Sequence, residues 1–133
     1  MAALRGKGWS AAIVASAAVL IAIATICGAF GAHYLRTHLA AAQLRSYETA
    51  VRYQFYHSLG LFGLGLAARE FDSRLLHWAA RLLICGILLF CGSLYFLSFG
   101  APRIVGVLTP LGGAALIGGW VTFALAYWRT CGR

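Results

Sequence analysis

The stretch TAVRYQFYHSLGLFGLGLAA, Thr49 to Ala68, decides the fold. Its second half reads as a lipid-soluble helix, whereas its first half packs Arg52, Tyr53, Gln54, Tyr56 and His57 into two turns. The charge-free window from Tyr53 to Ala68 is about 16 residues, which at 1.5 Å per residue covers only part of a ~30 Å hydrocarbon core. A helix here spans a membrane only by carrying Arg52, and Glu48 with it, into the bilayer or its interface. Polar on so many sides, it must be enclosed by other helices, by the preceding loop, or by a partner.

The rest of the chain supplies those other helices. Lys7 to Arg36, Arg81 to Arg103 and Arg103 to Arg129 bracket three further charge-free windows. Each exceeds the ~20 residues that a spanning helix needs. Of 133 residues, 62% are apolar and 11% charged, against about 25% charged in soluble domains. The sequence therefore predicts an all-α membrane protein, one integral-membrane domain over 1–133. Four transmembrane helices at about 9–31, 47–67, 76–99 and 104–128 are joined by short connections that favour an antiparallel bundle. The first apolar run is too long for the 7–15-residue core of a signal peptide and reads as a retained span.

Within the first loop, HYLRTHLAAAQLRS (His33–Ser46), Leu35, Leu39 and Ala42 recur at helical spacing opposite Arg36 and Gln43. This predicts a short interfacial helix between spans one and two. Ser46 would then cap span two, with Glu48 in its first turn and Glu48–Arg52 as an i,i+4 ion pair. Ala24-xxx-Gly28-xxx-Ala32, Gly63-xxx-Ala67, Ala114-xxx-Gly118 and Ala115-xxx-Gly119 predict close helix approach. Gly31 belongs to the same packing set. Pro110 should kink span four or provide a hinge there, with Gly112 and Gly113 loosening the next turn.

The net charge of +8 comes from Arg and Lys at helix ends, as in membrane anchoring, and predicts no nucleic-acid partner. Arg5, Lys7, Arg69, Arg74, Arg129 and Arg133 fall on one side, with Arg81 just inside it, against Arg36, Arg45, Arg103 and Arg52 on the other. Positive-inside bias then places both termini in the cytoplasm, and Trp9, Trp78 and Trp128 fall at that same interface. Cys27, Cys85, Cys91 and Cys131 show no CxxC and no zinc spacing. Only Glu48, Glu70 and Asp72 are acidic, the last two on a solvated loop, so no paired-carboxylate or nucleophile–base set is expected and the chain reads as non-catalytic.

His33, Glu48, Arg52, Tyr53, Gln54, His57, Ser93, Tyr95 and Thr109 all fall toward one end of the predicted bundle and form its candidate polar cluster. Interhelical hydrogen bonding is the first reading of that cluster. The alternative is a binding or transport site for a small molecule, lipid or proton, built on His57, Gln54 and Tyr53. A His33–His57 metal or haem pair would need equal depth, which the positions do not predict, so no metal or cofactor is expected.

Four motifs, GAFGAH (Gly28–His33), TAVRYQFYH (Thr49–His57), CGSLY (Cys91–Tyr95) and LTPLGG with GGW (Leu108–Trp120), occur in order over nearly the whole chain. Together they resemble the domain of unknown function 423 family of small membrane proteins (transmembrane protein 256-like). The resemblance implies a four-span protein of a bacterial inner membrane or a mitochondrial-type membrane, and no activity. It picks out Gly28, Gly31, His33, Tyr53, Gln54, His57, Gly92, Ser93, Tyr95, Thr109, Pro110 and Gly112. Cys91 departs from it, standing where Ser or another small residue would be expected. The expected role is an accessory or scaffolding component of the cytoplasmic membrane, its partners the lipid bilayer and a membrane protein or a second copy.

Overall fold

The computed structural model describes residues 2–132, with side chains described over 8–130 and at Gly132. The side chains of Arg5, Lys7, Cys131 and Arg133 lie outside the described residues. Four helices follow in order: α1 (Ala2–His33), α2 (Ala41–Ala67), α3 (Arg74–Ser98) and α4 (Leu108–Cys131). Two 3-10 segments, Leu35–Thr37 and Arg103–Val107, make the connections at one end.

Neighbouring helices are antiparallel. Gly28 of α1 faces Val51 of α2, and at the opposite end Gly65 of α2 faces Ile13 and Val14 of α1. The extensive interfaces are α1–α2, α2–α3 and α3–α4, so the bundle is built in chain order and stays open between its edge helices. Leu61 and Leu64 of α2, Leu76, Leu83 and Ile87 of α3, and Leu116 of α4 fill its core.

Three segments, Gly8–Thr37, Arg74–Ser98 and Arg103–Thr130, are long and apolar enough to cross a membrane. At 27 residues, or about 40 Å, α2 has the length, but Arg45, Glu48 and Arg52 interrupt its apolarity. The chain solves the short window by lengthening the helix. No separate interfacial helix forms. Leu35 is buried in a single 3-10 turn, and Ala41, Ala42 and Gln43, good helix formers with no Gly or Pro nearby, already belong to α2. The start of α2 is tied by Ala40 N–H donating to Gln43 Oε1, 3.2 Å. Ser46 is therefore not the cap; its hydroxyl donates back to the Ala42 carbonyl inside the helix.

The other helix ends follow local chemistry. Ser73 caps α3, its Oγ accepting from Leu76 N–H at 3.1 Å. At the far end of α3, Gly100 adopts φ +87°, and the Ala101 and Gly100 N–H groups bond back to the Phe96 and Leu97 carbonyls. That left-handed glycine turns the chain out of the helix, and Pro102 follows it. Pro110, expected to kink span four, sits in the first turn of α4, where its missing N–H leaves no helical carbonyl unpaired.

Small residues pack as predicted in part. The α3–α4 seam is reciprocal: a Cβ added at Gly86 would lie 2.9 Å from the Leu116 backbone N, and one at Gly119 3.2 Å from that of Leu83. Gly112 is pressed directly onto the Phe90 backbone, and Gly113 faces the Phe90 ring at ordinary contact distance. On α1–α2, Gly31 accommodates the Tyr47 ring. Gly63, expected in a close contact, faces open space, and Gly65 takes that part against Val14. Gly118 touches only the end of Leu82, so the seam of α4 runs through Gly112, Leu116 and Gly119 and not through Ala114 and Gly118.

Candidate functional site

The polar residues of α2 point in different directions, and each finds a different neighbour. Gln54 is buried. Its amide Nε2 donates to the Leu20 carbonyl of α1 at 2.9 Å, and its Oε1 accepts from the Tyr95 hydroxyl of α3 at 2.9 Å. One side chain thus ties three helices, and the carbonyl it reaches already serves the α1 ladder through its other lone pair. Two helical turns further out, buried Tyr47 donates to the Cys27 carbonyl at 2.8 Å. Its ring meets Tyr95 and Phe99 edge-on, with centroids 5.2 and 6.0 Å apart.

His57 turns toward α4. Trp120 donates its indole N–H to His57 Nδ1 at 3.0 Å. The Trp120 ring also covers Gly60, where any Cβ would collide with it. An indole N–H can only donate, so Nδ1 is the bare nitrogen and a neutral imidazole carries its proton on Nε2. Gln54 and Tyr95 bond each other, which leaves Trp120 as the partner of His57. Tyr53, half-exposed, lies against Phe90 with centroids 4.8 Å apart.

Ser93 and Thr109 join α3 to α4 through their hydroxyls at 2.7 Å, and Ser93 also donates to the Phe90 carbonyl. The candidate polar cluster is thus resolved into separate bonds across separate seams. His33 ends α1 and is exposed. Gln54 is level with Leu20, and the helix between Leu20 and His33 is about 20 Å long, so His33 and His57 are at quite different depths. No cluster of three or more metal-ligating side chains occurs among the described residues.

Glu48 and Arg52 are both exposed. The expected ion pair between them is not formed: among the described residues the one such contact joins His77 Nε2, in the first turn of α3, to Asp72 Oδ1 at 2.7 Å on the loop before it. An exposed i,i+4 pair contributes only a few tenths of a kcal/mol, too little to hold two long side chains together. Both residues instead line a groove of about 240 Å³ between α1 and α2. Cys27, Cys85 and Cys91 are free thiols.

Sequence reasoning missed Trp120, Tyr47 and the pair of Trp9 and His77, whose rings stack at 4.0 Å. Trp120 carried a readable signal. Three tryptophans fall at one interface, and Trp120 is the one placed two turns deeper, where its N–H needs an acceptor.

Four antiparallel helices with apolar exteriors and interhelical polar ties define a small multi-pass membrane protein. The comparisons with known proteins agree. Residues 27–113 match the family described as "Protein of unknown function (DUF423)", and the chain belongs to that family. It is 43% identical over 105 residues to a UPF0382 membrane protein of Staphylococcus epidermidis, covering 79% of this chain and 85% of the relative. It is 41% identical over 100 residues to the UPF0382 membrane protein YwdK of Bacillus subtilis, covering 74% and 81%. The UPF0382 inner membrane protein YgdD of Escherichia coli K12 is 37% identical over 93 residues, covering 70% and 71%. No solved structure matches the chain. The protein is a multi-pass protein of the bacterial cytoplasmic membrane.

Proposed function

We propose that the protein is a non-catalytic accessory component of the cytoplasmic membrane, a rigid helical platform that engages a membrane-protein partner or a second copy through α2. The observation that carries this reading is how α2 divides its faces. Gln54 and His57 are engaged by neighbouring helices, while Phe55, Tyr56 and Leu59 stand exposed on the opposite side, Tyr56 by 60%. A phenol held at membrane depth with its ring outward favours an amphipathic protein surface over lipid tails. The engagement of both ends of the Gln54 amide supports a packing role for that residue over a transport path built on His57, Gln54 and Tyr53.

A photo-crosslinking amino acid at position 56, compared with one at Ile117 on the exposed face of α4, tests the reading in native membranes. A discrete protein adduct at 56 and none at 117 is the expected result. Lipid adducts alone at both positions would overturn it.

A further inference from the structure

We propose that the groove between α1 and α2 binds a zwitterionic phospholipid of the ethanolamine class, its phosphate on Arg52 and its ammonium on Glu48. The floor of the groove is made by Gly28 and Gly31, its walls by Tyr47 and Val51, and its two charges by Glu48 and Arg52. The wall is fixed, because Tyr47 is buried and its hydroxyl is held by the Cys27 carbonyl. Gly31 lets that wall stand against α1: a Cβ there would meet the Tyr47 ring at 2.8 Å.

Glu48 and Arg52 make no ion pair or hydrogen bond among the described residues and are left to face the groove. They sit one turn apart, separated by about 6 Å along the axis. Their order in depth is the informative feature. Glu48 is level with the end of α1, near Gly31, whereas Arg52 lies one turn further toward the bundle centre, beyond Val51 and its contact with Gly28. In an ethanolamine phospholipid the phosphate is the deeper charge and the ammonium the shallower, joined by a short carbon bridge. The guanidinium presents a planar fork to phosphate oxygens, and the carboxylate accepts from the ammonium hydrogens. An acyl chain continues inward along the α1–α2 seam. An anionic lipid such as phosphatidylglycerol would satisfy Arg52 but set a hydroxylated headgroup against Glu48. The site thereby discriminates between lipids and does not merely attract them.

The test is thermal stabilisation of the full chain in mild detergent, titrated with phosphatidylethanolamine or with phosphatidylglycerol of the same acyl chains. Phosphatidylethanolamine should act at the lower concentration. Arg52→Gln should weaken that response about tenfold, the loss of one charge-assisted contact. Glu48→Gln should remove the preference, so that both lipids act alike or phosphatidylglycerol acts better. The double exchange Glu48→Arg with Arg52→Glu conserves net charge and exposed composition while inverting the depth order, and it should lose the ethanolamine preference. The unliganded melting temperature of each variant separates a folding defect from a binding one. Equal wild-type responses to the two lipids, or an ethanolamine preference retained in the double exchange, would overturn the proposal.

Discussion

Trp120 of α4 donates its indole N–H to Nδ1 of His57 on α2, 3.0 Å away, and so joins two helices that are not sequence neighbours. The bond needs a bare Nδ1, which only the neutral Nε2–H tautomer supplies. Nitrogen NMR of His57-labelled protein in detergent at neutral pH should report that tautomer. Trp120→Phe, which keeps most of the ring over Gly60, should lower stability by about 1 kcal/mol. His57→Leu should cost as much or more, since it leaves the indole N–H without an acceptor. An unchanged melting temperature in both variants would contradict a structural role for the pair.

Gly86 and Gly92 differ by less than two turns in sequence and should respond oppositely to the same substitution. A Cβ at Gly86 would press on the Leu116 backbone, whereas at Gly92 nothing lies within 4 Å. Gly86→Ala is expected to destabilise by about 1–3 kcal/mol through overpacking. Gly92→Ala should be neutral or stabilise by up to about 1 kcal/mol, because alanine restricts the unfolded chain and favours helix. Melting temperatures of the two variants in one detergent decide the matter.

How much of this was legible in the sequence depends on what each residue answers to. The apolar windows between Lys7 and Arg129 answer only to bilayer thickness, and they located α1, α3 and α4 and the overall antiparallel order. Gly28 and Gly31, read as packing residues, face Val51 and Tyr47 of α2, whereas Gly112, expected to loosen a turn after Pro110, is instead pressed onto the Phe90 backbone. Spacing alone could not distinguish Gly63 from Gly65, since either can face α1 depending on how α2 is rotated. Helix rotation also set the fate of the polar residues. Gln54 and His57 were recognisable as enclosed, but their partners, Leu20 with Tyr95 for the first and Trp120 for the second, depend on which helix stands opposite. Glu48–Arg52 was misjudged because local spacing allows an ion pair without making it favourable enough to persist. The start of α2 was misplaced because Ser46 is a good cap in isolation. The alanines before it continue the helix at lower cost than stopping would.

Gln54 and Tyr95 should be energetically coupled. In a double-mutant cycle with Gln54→Leu and Tyr95→Phe, measured by reversible unfolding in detergent, the coupling energy should be about 0.6 kcal/mol and no more than about 1.7. Gln54→Leu alone should cost more than Tyr95→Phe alone, because it also releases the Leu20 contact of α1. Ser58, one turn along the same helix, provides the control. It is fully buried and its hydroxyl has no partner among the described residues, so Ser58→Ala should leave stability unchanged or raise it. Coupling indistinguishable from zero would mean that Gln54 and Tyr95 act independently.

The orientation of the bundle in the membrane is the last expectation. Trp9 stacks on His77 beside Trp78, and the Arg81 guanidinium lies 5.3 Å from the Trp78 ring centroid. At the same end Phe71, on the loop that carries Arg69 and leads to Arg74 at the start of α3, meets Tyr127 near the end of α4 edge-on. This end therefore gathers an aromatic belt with most of the loop arginines, while the other end has Arg36, Arg45 and Arg103. The imbalance of Lys and Arg close to the spans, not net charge, sets orientation. Both termini and the α2–α3 loop are thus expected in the cytoplasm. Alkaline phosphatase fused after Arg133 should be inactive, and a green fluorescent protein fused there should fluoresce. In a background with the native cysteines replaced, a cysteine at Thr37 should react with a membrane-impermeant maleimide in intact cells, and one at Glu70 should not. Labelling of Glu70→Cys together with active phosphatase would reverse the topology.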